Sequence, residues 1–171
     1  MRAETLGFVP NNPHARQAPL DDVDRAILRI LADNARTPNN ALADAVGIAP
    51  STCLARVRAL RERGVIRAFR AEIAPAAIGL PLQAMISVRL RAHTREQNES
   101  FRDTAPDMPG VVAVFHMAGS DDYLLHVALA HPDALRDFVV DHLTTHPAVA
   151  QTRTNLIFEQ IAGRRHLVPG Q

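Results

Sequence analysis

The sequence predicts an α+β protein made of two unlike halves. Three observations carry that prediction. Apolar residues between positions 20 and 64 recur at helical spacing. From Pro81 onward they alternate as strands do, with two helical stretches between them. The charge divides at the same place: residues 20–70 hold nine Arg against six acids, and residues 71–171 hold eight Arg against eleven acids.

The elements follow in order. Residues 1–19 carry Pro10, Pro13, Pro19 and Asn11-Asn12 without any period, which predicts a flexible, solvated arm. A helix is expected from Asp21, which can cap free N–H groups. Asp22 and Asp24 then sit at the positive end of its dipole, and Val23, Ile27, Ile30 and Leu31 form its apolar face. Thr37-Pro38 predicts a capped second helix from Asn39 to Val46, burying Leu42, Ala45 and Val46 and ending at Gly47. A third helix is expected from Pro50–Ser51 to about Arg63, with Leu54, Val57, Ala59 and Leu60 inside and Gly64 at its end. Three helices with a tight glycine turn between the second and third have the spacing of a helix-turn-helix over 20–64. Val65–Ile73 alternates and predicts a hinge strand, so the domain is of the winged type. Residues 65–80 then form hinge and linker, punctuated by Pro75 and Gly79-Leu80-Pro81.

In the second half, Gln83–Arg91 predicts a strand with Ala84, Ile86, Val88 and Leu90 on one face. Thr94–Asp107 predicts a helix stopped by Pro106 or Pro109. Val111–Met117 and Tyr123–Ala130 predict a hairpin about Gly119-Ser120-Asp121-Asp122. Pro132–His146 predicts a helix, and Val149–Ile161 a last long strand. This β-α-β-β-α-β order over 81–163 is the ferredoxin-like arrangement, followed by a tail at 164–171. Met85, Val111, Phe115, Met117 and Ile157 fall on the sheet face that the helices leave bare. Such a face predicts a homodimer packed sheet to sheet.

Composition excludes several classes. The chain has 171 residues, 47% of them hydrophobic, and a net charge of +1. It has no apolar run near the roughly 20 residues of a membrane span and no secretory signal pattern. The single Cys53 excludes an intrachain disulfide and fits a reducing, cytoplasmic setting. No nucleophile elbow, phosphate loop or zinc pattern is present, so no enzyme, metal or cofactor is expected. His142 and His146 are four apart, yet nothing completes a metal site, and they are read as surface histidines. Cys53 is read as a buried small hydrophobe rather than a redox switch.

The chemistry lies in the third helix. Residues 51–70 carry six Arg against Glu62 alone. All nineteen basic residues of the chain are Arg, a side chain suited to phosphate oxygens and to guanine. Ser51 and Thr52 lie in the first turn, which reaches the bases. Arg56 follows one turn on, and Arg58, Arg61 and Arg63 suit the backbone of double-stranded DNA.

Several stretches together resemble the Lrp/AsnC family. They are Leu20-Asp21-Asp22-Val23-Asp24 with Ile27-Leu28, Val46-Gly47-Ile48, Cys53 to Leu60, Gly64-Val65-Ile66, Ala118 to Leu125, and Thr152-Arg153-Thr154. The resemblance spans about Leu20 to Ile161. It implies a transcription regulator that senses an amino acid, forms dimers through its sheets and often assembles into octamers. It implies an effector cleft between dimers, with Met117, Gly119, Asp121, Asp122, Asn155 and Ile157 as the positions carried over. Ala49 stands where relatives often carry Ser, so Ser51 would have to cap the third helix. Asn155 stands where some carry an aromatic residue, so the effector need not be leucine. Two other readings stay open: an effector-independent architectural DNA-binding protein, and a ligand-binding module that regulates a protein partner.

Overall fold

The structure is a computed structural model that describes residues 19–92, 94–161 and 163; the expected arm, apart from Pro19, and the tail at 164–171 lie outside them. The chain divides into two units between Ala71 and Glu72.

The first unit contains α1 (Asp22–Asp33), α2 (Asn39–Val46) and α3 (Pro50–Glu62). Asp21 caps α1 by accepting the Asp24 N–H at 2.7 Å. Thr37 does not cap α2, because its hydroxyl donates back to the Asn34 carbonyl at 2.8 Å. Gly47 has φ +71°, the left-handed conformation that ends α2 and turns the chain toward α3. Ser51 does not cap α3 either. Ala49 holds the cap position without a side-chain bond, and the helix starts on Pro50. The core is Ile27, Leu42, Ala43, Cys53 and Leu60. Two expectations change here. Ala43, not Ala45, is the buried alanine of α2, and Leu54 is 41% exposed while Cys53 takes the interior place. Cys53, Val57 and Leu60 are spaced i, i+4, i+7, so Leu54 falls off their stripe.

Within one chain the expected hinge strand does not pair. Residues 67–74 carry no helix or strand and are exposed, Phe69 and Ile73 included. A strand needs a second strand for its N–H and C=O groups, and no described segment pairs with this one.

The second unit is a four-stranded antiparallel sheet of order β2-β3-β1-β4, formed by β1 (Leu82–Leu90), β2 (Val111–His116), β3 (Tyr123–Leu129) and β4 (Val149–Ile157). Helix α4 (Arg95–Thr104) and helix α5 (Pro132–Phe138), which continues as a π-helical turn over Val139–Thr144, pack on one face. Ala84, Ile86, Val88 and Leu90 meet Phe101, Phe138 and Leu143 in the core, as their alternation predicts. The final strand stops at Ile157, opposite Gln83. Pro81, just beyond, has no N–H to extend the ladder. Phe115 is 48% exposed, and Met85 and Ile157 are half-buried. Val111 departs from this set. The register shifts between Val111 and Ala113, and this bulge turns Val111 inward onto the helix-covered core.

Candidate nucleic-acid interface and ligand loop

Helix α3 has two chemically distinct sides. Ser51, Thr52, Leu54, Ala55, Arg58 and Arg61 are exposed. Arg58 and Arg61, with Glu62, Ile66 and Arg67, line an open groove of about 390 Å³ where the chain leaves the helix. Arg67 belongs to this surface but is missed when only helix positions are considered; the groove exists because the chain turns at Gly64, φ +71°.

Arg56 and Arg63 lie elsewhere. Arg56 Nη1 donates to Asp21 Oδ2 at 2.6 Å and to Asp24 Oδ1 at 2.8 Å, and Arg63 Nη1 lies 3.9 Å from Asp24 Oδ2. Asp24 is buried. The Asp24 N–H and the Arg56 guanidinium hold the Asp21 carboxyl below its ordinary range. Asp21 and Asp24 in turn push Arg56 further up. These two Arg tie α3 to the start of α1. Arg56, expected at the DNA, thus has its guanidinium matched by two carboxylates of its own chain. Cys53 is fully buried, and desolvation pushes its thiol up, which suits an inert packing residue.

The second candidate region is the loop Met117–Asp122 between β2 and β3. The Met117 N–H donates to the Asp122 carbonyl at 2.8 Å and closes the turn. Gly119 takes φ +150°, a backbone shape that favours glycine, and a Cβ there would meet nothing within 4 Å. Asp122 is pinned to β1: its N–H donates to the Val88 carbonyl at 3.0 Å, and its Oδ2 accepts the Leu90 N–H at 2.8 Å. It positions the loop, and Asp121 is the loop's other carboxylate.

Asn155 and Ile157 do not join that loop within one chain. They pair with Met85 and Gln83, at the end of β1 opposite to Val88, and β4 is the far edge of the sheet from β2. Three strand spacings, about 14 Å, separate the two edges. The six expected ligand positions thus occupy opposite corners of the sheet. His146, read as a surface histidine, is instead packed. Its ring meets Phe101 edge-on at 5.2 Å, and its Nδ1 accepts the Ala148 N–H at 3.2 Å.

Comparison with known proteins assigns both units. Residues 20–67 match the winged helix-turn-helix DNA-binding family, and residues 83–167 match the Lrp/AsnC ligand binding domain. The chain is 52% identical over 155 residues to the HTH-type transcriptional regulator AldR of Mycolicibacterium smegmatis, covering 90% of this chain and 91% of that one. The chain belongs to the Lrp/AsnC family. AldR of Mycobacterium tuberculosis is 53% identical over 148 residues, covering 86% of this chain and 83% of that protein. A transcriptional regulator of Neisseria meningitidis, solved as its L-Met complex, superposes with a TM-score of 0.78 at 32% identity, covering 85% of this chain and 94% of that one. Like its Lrp/AsnC relatives, this chain is a transcriptional regulator with a DNA-binding unit and a ligand-binding unit, and not an enzyme. None of its described helices is long and apolar enough to cross a membrane.

Proposed function

We propose that the chain binds duplex DNA as a homodimer or larger assembly, and that an amino acid held between copies tunes that binding. A chromosomal target places its work in the cytoplasm. Ser51, Thr52, Arg58 and Arg61 make the DNA contacts, because they share the exposed side of α3. Arg56 and Arg63 set that helix on α1 from behind.

One observation carries the ligand reading: the loop Met117–Asp122 and the pair Asn155–Ile157 lie at opposite corners of the sheet. A pocket built from both needs a second copy, whose Asn155 corner meets the first copy's loop. The exposed backbone at Gly119 suits a carboxylate, and Asp121 suits an ammonium group, so a zwitterion fits both ends. Occupancy then couples ligand to assembly. The neighbour solved with L-Met supports an amino acid as the class.

Two measurements test this. Retardation of its own promoter should weaken by orders of magnitude between about 50 and 200 mM salt, because each neutralised phosphate releases counterion. Salt-insensitive binding overturns the DNA reading. In a thermal-shift screen of the twenty amino acids, one should raise the melting temperature, since it binds only the folded state. Asp121→Ala should abolish that rise, and an unchanged rise overturns the ligand assignment.

A further inference from the structure

The outward side of α3 carries one large apolar side chain. Leu54 is 41% exposed and stands outside the cluster formed by Ile27, Leu42, Ala43, Cys53 and Leu60. It lies three residues after Ser51 and four before Arg58, so all three share one stripe of the helix surface. It is the fifth residue of a helix that starts at Pro50, within the part that reaches deepest into a groove.

The surroundings identify what covers it. Arg58 and Arg61 flank it on the same side. A second copy of this face would set those Arg against their own counterparts, a like-charge contact. A polyanion removes that conflict. Within the major groove, the apolar group offered by a base edge is the 5-methyl of thymine. We propose that Leu54 is a specificity-determining residue that packs on a thymine methyl in each half-site, between a base or phosphate contact from Ser51 and a phosphate contact from Arg58. This rests on the DNA-binding reading above and adds the base that is read.

The test uses the full chain and duplexes selected from a random-sequence pool by repeated binding. Each thymine of the selected site is replaced in turn by deoxyuridine, which removes only the methyl group. At one thymine per half-site, the wild-type protein should lose about fourfold in affinity, the value of burying one methyl-sized group. Leu54→Ala should bind the thymine duplex more weakly and treat thymine and uracil there alike. Leu54→Met, which keeps an apolar chain of similar volume, should retain the preference. This last comparison, with the wild-type scan, decides the matter even if Leu54→Ala fails to fold.

Equal binding of thymine and uracil duplexes at every position, with salt-sensitive retardation intact, overturns the proposal and leaves the DNA-binding reading standing. Failure to select or retard any duplex overturns both. If Leu54→Gln changes the sedimenting size of the protein without altering the thymine-to-uracil ratio, Leu54 belongs to a protein contact and the proposal falls.

Discussion

The two units of the chain hold themselves together by different means. The sheet unit buries a cluster of fourteen apolar residues, with Phe101 at its centre against Tyr123 and His146. The helical unit buries five and adds an ion network, Arg56 and Arg63 on Asp21 and Asp24. A small core supplies little apolar area, so charge pairing carries a larger share of how α3 is held. The lesson concerns Arg on a DNA-facing helix. Sequence counts all six Arg of residues 51–70 toward a polyanion, while the structure spends two of them on its own acids.

The sharpest way to break this comparison is in the large core. Phe101→Ala should destabilise the sheet unit by about 3–5 kcal/mol, the cost of removing a fully buried aromatic ring. The measurement is the urea midpoint followed by tyrosine fluorescence, which reports on the chain's one tyrosine, Tyr123. A shift corresponding to under about 1 kcal/mol would mean the cluster does not act as a core. Glycines sharpen the contrast between the units. A Cβ on Gly110 would fall 2.7 Å from Leu129 Cδ2 and 2.9 Å from the Ala128 carbonyl oxygen, at φ +84°. Gly110→Ala should therefore cost about 1–3 kcal/mol or more from overpacking, added to backbone strain. Gly47 has a similar φ, +71°, with nothing within 4 Å of its Cβ position. Gly47→Ala should show only the strain, about 1 kcal/mol. Equal losses at the two sites would remove the packing account.

Much of this was legible in the sequence, and the exceptions share a cause. Strict alternation over Ala84, Ile86, Val88 and Leu90 identifies β1 and its buried face correctly. The same rule misplaces Val111, because a bulge after it adds one residue and reverses the face. Residues 65–73 alternate too, but alternation supplies a strand's side chains and not the second strand that must pair with it. Among the candidate site residues, the exposure of Ser51, Thr52, Arg58 and Arg61 follows from helix spacing. The ion pairing of Arg56 does not, since its carboxylate partners lie 35 and 32 residues earlier. That Asp122 holds β1 by its carboxylate is equally a tertiary fact, invisible in a run of turn residues.

A smaller effect probes the ion network. Arg56→Ala takes the nearer guanidinium, 2.8 Å away, from the buried Asp24 carboxylate and leaves the Arg63 contact at 3.9 Å, and should cost about 1–3 kcal/mol. Both close contacts come from one nitrogen, Nη1. An ammonium group can make them as well, so Arg56→Lys should recover most of the loss. Thermal melting at low and high salt checks both. If Arg56→Ala is as stable as wild type but releases DNA, Arg56 belongs to the DNA contact after all. Acid gives the same network a second readout. Asp21 is held below its ordinary value of 3.8 by the Asp24 N–H and by Arg56. Its contribution is present above that value and lost as pH falls through the lower folded one.

The smallest expected effect lies in the sheet unit, in the pH dependence of its stability. The His146 Nδ1 accepts the Ala148 N–H, and its Nε2 lies 3.2 Å from Thr104 Oγ1, whose own hydroxyl donates to the Ser100 carbonyl. This geometry suits a neutral ring with its proton on Nε2. An imidazolium would put a second N–H against that of Ala148. Burial also holds His146 below its ordinary value of 6.5. A lowered folded value means the stabilisation is complete above about pH 6.5 and lost as pH falls through the folded value, because the unfolded chain takes up the proton first. Urea midpoints of wild type and His146→Gln, compared from about pH 7.5 down to about pH 5, isolate this residue from the other histidines. The wild-type advantage should shrink as pH falls. An advantage that stays constant would show that His146 contributes shape to the Phe101 cluster and no titrating charge.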